Sequence, residues 1–185
     1  MCDAVEGRFL NQPDLAALRE AAVRAEDDGA LAVILSDQSE LGDAVTLASA
    51  LATATHEVLL GVEVDLAQHA HRHPTVLARE LTTLDLLNHG RTLLIFAGPF
   101  TPATVEAATL CRDMWRNGVA ASEGPTYPVA GAINRPGPFT ATTPRIALDA
   151  TGGHTPTPDL LDLADFLLAD RQGDSCQIVD VVVDA

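Results

Sequence analysis

HPTVLARELTTLDLLNHGRTLLIFAGP, residues 73–99, is the stretch that decides the fold. Pro74 opens a helical segment that runs to Gly90. TLLIFA, 92–97, follows as a short apolar run closed by Gly98-Pro99. The same unit stands twice before it. Residues 13–28, PDLAALREAAVRAEDD, place Leu15, Leu18, Ala22 and Ala25 at helical spacing between Pro13 and Gly29. LAVIL, 31–35, comes next and is closed by the polar Ser36-Asp37. Asp43 to Thr55 reads as an alanine-rich helix leading into VLLGVEV, 58–64, which ends at Asp65. A fourth helix, Pro102 to about Asn117, precedes a segment rich in Gly, Pro and Thr, 118–143, and then RIALDA, 145–150. LLDLADFLLAD, 160–170, reads as a helix by periodicity, with ADFLLAD open as a short strand, and IVDVVV, 178–183, reads as a strand.

Continuous apolar runs suit strands buried on both faces, and their alternation with helices predicts parallel strands joined by right-handed crossovers. The expected class is α/β, with barrel and open sheet both open on this pattern alone. In either case ligands collect at the carboxyl ends of the strands. Those ends carry Ser36-Asp37, Asp65, Gly98-Pro99 and Thr151-Gly152-Gly153-His154.

At 185 residues the chain is read as a single domain, 1–185, with an irregular insert at 118–143. Hydrophobic residues make up 47% and charged residues 20%, a globular balance, and with few aromatics the core must be packed by alanine, leucine and valine. The formal charge of -15 and the lack of any Lys/Arg cluster argue against nucleic acid and anionic membrane as partners. MCDAVEGRFL has no secretory pattern and no run approaches a bilayer span, so the expectation is a soluble, cytoplasmic protein. Cys2, Cys111 and Cys176 are odd in number and scattered, which suits a reducing compartment.

QHAHRHP, 68–74, sets His69, His71 and His73 at alternate positions, where two imidazoles could reach one zinc. Pro74 then forces a turn into a helix and no carboxylate in the stretch orients the rings, so a solvated loop or substrate-side position is the better reading and no metal is assigned. No glycine-rich dinucleotide or Walker fingerprint occurs, and Gly152-Gly153 serves a plain turn as well as a phosphate. Neither Ser36 nor Cys111 has a neighbouring base, so no nucleophilic triad is proposed.

HPTVLARELTTLDLLNHGR, 73–91, resembles the "hP...lAR...tLD.ls.GR" stretch of the bacterial luciferase-like flavin-dependent monooxygenases, and LASALATATHEVLLGVEV, 47–64, is similar to the segment before it. LCRDMWRNG, 110–118, and YPVAGAINRPGPFTATTPRIALDATGG, 127–153, resemble the nitrilotriacetate and dibenzothiophene-sulfone monooxygenase branch. The resemblance covers about Leu15 to Asp170. It implies a partial TIM-type (β/α) barrel of parallel strands, truncated relative to the family, with the first strand missing or unrecognisable and the final ones absent. Such an open half-barrel would expose strand edges, which a homodimer or a longer flavoprotein subunit would cover.

The family binds reduced FMN, or a deazaflavin in one branch, at the carboxyl ends of the strands and oxidises small organic substrates with oxygen. Carried onto this chain, the resemblance implies His73 as the catalytic residue. It places Asp37, Asp65, Ala97 and the turn Thr151, Gly152, Gly153 and His154 along the cofactor. Glu63 stands where the branch has a small residue near the flavin ring, and its buried charge would oppose a reduced anionic flavin. The alternative function is a truncated paralogue that no longer catalyses and acts as a flavin-binding or subunit-partner protein.

Overall fold

The structure is a computed structural model and describes residues 5–12, 14–36, 42–66, 72–139 and 143–180. Its described residues form five helices and nine strands, alternating from β1 to α4. Strand β1 is Val5–Phe9, helix α1 is Leu15–Asp27, and β2 is Ala32–Ser36. Helix α2, Ala44–Leu51, leads to β3, Leu59–Asp65, and α3, Pro74–Leu87, leads to β4, Thr92–Ala97. After α4, Pro102–Asn117, come β5, Val119–Ser122, and β6, Val129–Ile133. The chain continues with β7, Arg145–Asp149, α5, Pro158–Leu161, β8, Phe166–Gln172, and β9, Ser175–Asp180.

Local chemistry sets the helix ends. Asp14 and Asp43 cap α1 and α2, each accepting the backbone N–H three residues on, at 2.8 and 2.7 Å. Gly118 closes α4 at φ 70°, a conformation that costs glycine nothing. Arg91 ties the amino-terminal end of the barrel together. Its guanidinium donates to Val58 O at 2.7 Å, Thr55 O at 2.9 Å and Asn88 O at 2.9 Å, so one side chain fixes the entries to β3 and β4. Arg112, buried on α4, donates to Leu163 O and to the Asp165 carboxylate, and Asp165 in turn accepts Ile146 N–H. That relay holds the entries to β7 and β8 against α4.

The strands β1-β2-β3-β4-β7-β8-β9 form a closed barrel. The first six run parallel, while β9 runs antiparallel to both of its neighbours, β8 and β1, and closes the ring between them. Side-chain alternation then makes two cores. Inward residues such as Phe9, Ile34, Leu59, Leu93, Ile95, Ala147, Leu168 and Ile178 fill the barrel. Outward residues such as Leu35, Leu60, Val62, Leu94 and Phe96 pack against Leu18, Leu51, Leu77, Leu81 and Trp115 of the helices. No helix among the described residues is long and apolar enough to cross a membrane.

The α/β barrel class holds, and four sequence expectations change. The first strand is present as β1, which reads VEGRF and carries a glycine and two polar residues, so no apolar run betrays it. The half-barrel is not open, because β9 supplies the closing strand and leaves no barrel edge for a second copy to cover. LLDLADFLLAD is not one helix: a single turn, α5, ends at Leu161 and the chain becomes β8 from Phe166. Segment 118–143 is not wholly irregular, since β5 and β6 pair in it as an antiparallel hairpin. Pro13 lies outside the described residues.

Candidate functional site

The carboxyl ends of the parallel strands form one mouth, and β3 sends Glu63 onto its floor. Leu59, Gly61 and Glu63 share the inward face by alternation, and Glu63 is 4% exposed. Asp149, the last residue of β7 and 6% exposed, reaches the same floor and shares a hydrogen bond with Glu63. Burial first, then the neighbouring Asp149 charge, push the Glu63 carboxyl up to about 7, against the pull of a Ser36 hydrogen bond and of Arg171. Two carboxyl groups this close cannot both ionise cheaply, so the pair holds one proton into the neutral range. One Glu63 oxygen, Oε2, is buried with no hydrogen-bond partner.

Asp149 is held from the other side. Its Oδ1 accepts the Thr151 N–H at 2.8 Å and the Thr151 hydroxyl at 2.6 Å. Above the floor, the guanidinium of Arg171 lies 3.7 Å from the centre of the Phe9 ring. A bulge between Ala169 and Gln172, with Asp170 at φ 50°, shifts the phase of β8 and turns Arg171 over the barrel instead of away from it. The β8–β9 turn is fastened to β1 where Phe9 N–H donates to Asp174 O at 2.7 Å. A hollow of about 250 Å³ remains, lined by Phe9, Leu10, Asn11, Ser36, Glu63, Arg171 and Asp174. Cys176 of β9 lies beneath, its thiol pushed up to about 12 by burial and then by the Asp149 charge, so it stays an unreactive thiol.

The residues expected from sequence fall in several places. Asp65 is buried at the rim, and Gly98 lies so close that an added Cβ would sit 2.8 Å from the Asp65 carboxylate. Ala97 pairs in register with Asp65. Thr151 spends both of its donors on Asp149, while Gly152, Gly153 and His154 form an exposed turn, with the His154 ring edge-on to Phe100 at 6.5 Å. His73 caps α3: its Nδ1 lies 2.8 Å from Thr75 Oγ1 and accepts Thr75 N–H at 3.3 Å, and its ring meets Tyr127 edge-on at 5.5 Å. Asp37, His69 and His71 lie outside the described residues. Among the described residues no group of three His, Cys, Asp or Glu side chains is placed to hold a metal ion.

Sequence reasoning missed Asp149 and Arg171. Asp149 had a signal, since it ends a strand two places after the inward Ala147. Arg171 had none, because it follows LLDLADFLLAD, 160–170, which reads as a helix with a short strand left open.

The sequence profile described as luciferase-like monooxygenase matches residues 3–157. The chain belongs to the luciferase-like monooxygenase family. Among solved structures, the coenzyme F420-dependent tetrahydromethanopterin reductase of Methanopyrus kandleri is similar with a TM-score of 0.71 and 16% identity, over 91% of this chain and 56% of the reductase. Monooxygenase RslO1 of Streptomyces bottropensis is similar with a TM-score of 0.63 and 20% identity, over 85% of this chain and 62% of its own. The oxygenating constituent of the 3,6-diketocamphane monooxygenase from Pseudomonas putida, solved in complex with FMN, gives 0.62 and 15%, over 83% and 57%. These likenesses are likenesses of fold, and the chain spans less than two thirds of each of these luciferase-like neighbours. A search of curated protein sequences finds no match.

Proposed function

We propose that this luciferase-like barrel seats no flavin at its mouth on its own and serves as a small-ligand-binding or subunit-partner protein. The observation that carries the reading is the filled mouth, with Glu63 and Asp149 sharing a proton on the floor and Arg171 laid over Phe9 above them. The hollow between them, about 250 Å³, falls below the ~300–1,000 Å³ of ordinary small-molecule sites and is small for a three-ring flavin. Charge points the same way. A reduced flavin is anionic, and it would meet the Glu63–Asp149 pair and Asp174 with, among the described residues lining the hollow, only Arg171 to offset them. The Thr151 N–H and hydroxyl, the donors that a phosphate would take at this turn, are already committed to Asp149. The described residues therefore do not fit a flavin or deazaflavin at this mouth. Exposed Val119 and Ile133, cross-strand neighbours on the β5–β6 hairpin, support a surface for a second copy or a longer flavoprotein subunit.

A second reading, a monooxygenase using reduced FMN or a deazaflavin on a small organic substrate, is favoured by the family match over residues 3–157 and by neighbours whose names include F420 or FMN. The stretches at 110–118 and 127–153 support its placement in the nitrilotriacetate and dibenzothiophene-sulfone branch. One titration separates the two readings. The purified chain is mixed with oxidised FMN, anaerobically reduced FMN and F420, and cofactor absorbance and fluorescence are followed. The expected result is no saturable binding in the micromolar range, and micromolar binding of any of the three would overturn the leading reading.

A further inference from the structure

A mouth that rejects an anionic flavin has a charge and shape of its own. Glu63 is 96% buried by its 4% exposure, lines the hollow, and keeps one oxygen without a partner. An acceptor in that state is costly to bury unless something donates to it. Ser36 and Asn11 line the same hollow with polar groups, and Phe9 supplies an aromatic face. The protein already places a cation on that face, because the Arg171 guanidinium stacks on Phe9. Arg171 is itself weakly held: it is exposed, and the one hydrogen bond it makes among the described residues is a long one, 3.5 Å to Gly173 O.

We propose that the mouth is a binding site for a compact organic cation, an alkylammonium or alkylguanidinium group, which displaces Arg171 from Phe9 and donates to the orphaned Glu63 oxygen. The proposal rests on the reading that no flavin occupies the mouth. The groups facing Glu63 are Ser36 from β2, Asp149 from β7, Arg171 from β8 and Cys176 from β9. Of these only Arg171 is cationic, so a bound cation meets a net negative floor once Glu63 has ionised. Binding of the cation favours the ionised carboxylate and releases its proton, which ties affinity to pH. Affinity rises with pH while Glu63 is still protonated and levels off once it is ionised. A hollow of about 250 Å³ admits a small alkyl group with its charged head and little more.

The test is a titration of the intact chain with methylguanidinium chloride and ethylammonium chloride at several pH values between 5 and 9, followed by amide NMR shifts, with sodium acetate as the anion control. Saturable binding of one of the cations is expected, strengthening up to about tenfold per pH unit below neutrality and flat above it, with no response to acetate. Glu63→Gln, a near-isosteric change, is expected to abolish binding at every pH while the protein stays folded. Arg171→Ala is expected to tighten binding by removing the internal competitor. No saturable shift with either cation, or binding that Glu63→Gln leaves unchanged, overturns the proposal. Flavin binding in the separate titration would instead overturn the reading beneath it.

Discussion

Glu63 shows how one residue's environment alters its ionisation. Read from sequence, a buried carboxylate at this position is a fixed negative charge opposing a flavin. In the fold it lies against Asp149, and its carboxyl is pushed from an ordinary 4.5 to about 7. The folded state therefore holds a proton that the unfolded chain gives up, so stability falls as pH rises from about 4.5 to about 7 and is flat above. At ~1.4 kcal/mol per pH unit the ionised form costs on the order of 3 kcal/mol. Glu63→Gln removes that cost, so it should raise stability at pH 8 by about 1–3 kcal/mol and change it little at pH 5, measured by urea unfolding at both values. A variant equally stable with the parent at both would contradict this. The strand-end position of Asp65 was legible in the sequence because strand polarity alone selects such residues. The Glu63–Asp149 contact was not, because the two residues lie 86 positions apart on β3 and β7, which only their shared pairing with β4 brings onto one face.

Among the elements, β9 decides what kind of barrel this is. Helix–strand units from α1 to β4 were readable because each strand is a continuous apolar run between marked helices. β1 and β8 were not: VEGRF mixes charge with glycine, and FLLADRQ prolongs a leucine pattern that suits a helix equally well. What makes them strands is pairing on both edges, β1 with β2 and β9 and β8 with β7 and β9, a tertiary cause with no local trace. Gly7 records the tightness of that closure, since a Cβ there would stand 2.7 Å from Ile178 Cδ1 and 3.1 Å from Cys176 Sγ. Gly7→Val should therefore push β9 from β1 and destabilise the chain by about 1–3 kcal/mol, the usual cost of overpacking. Hydrogen exchange should quicken selectively in β1, β8 and β9. Uniform exchange with unchanged stability would mean that β9 is not packed on β1 as described.

For the whole molecule, closure by an antiparallel strand and the filling of the mouth are two sides of one change. The hairpin that carries β9 also carries Arg171 and Asp174 to the mouth, so the segment that completes the ring also occupies its opening. Family membership was legible because the matched stretches lie in the outer helices and their strands, where residues such as Arg91 hold the scaffold. The working end was not, since it depends on which residues of β3, β7 and β8 share the inward face, and that follows from strand pairing with no trace in any single stretch. At that working end Glu63 and Asp149 form a proton-sharing pair on the floor of the mouth. Carbon-13 NMR of the Glu63 side-chain carboxyl, assigned by its loss in Glu63→Gln, tests it most directly. A titration midpoint near 7 that moves down in Asp149→Asn is expected, whereas a midpoint near 4.5, indifferent to Asp149, would rule the pair out.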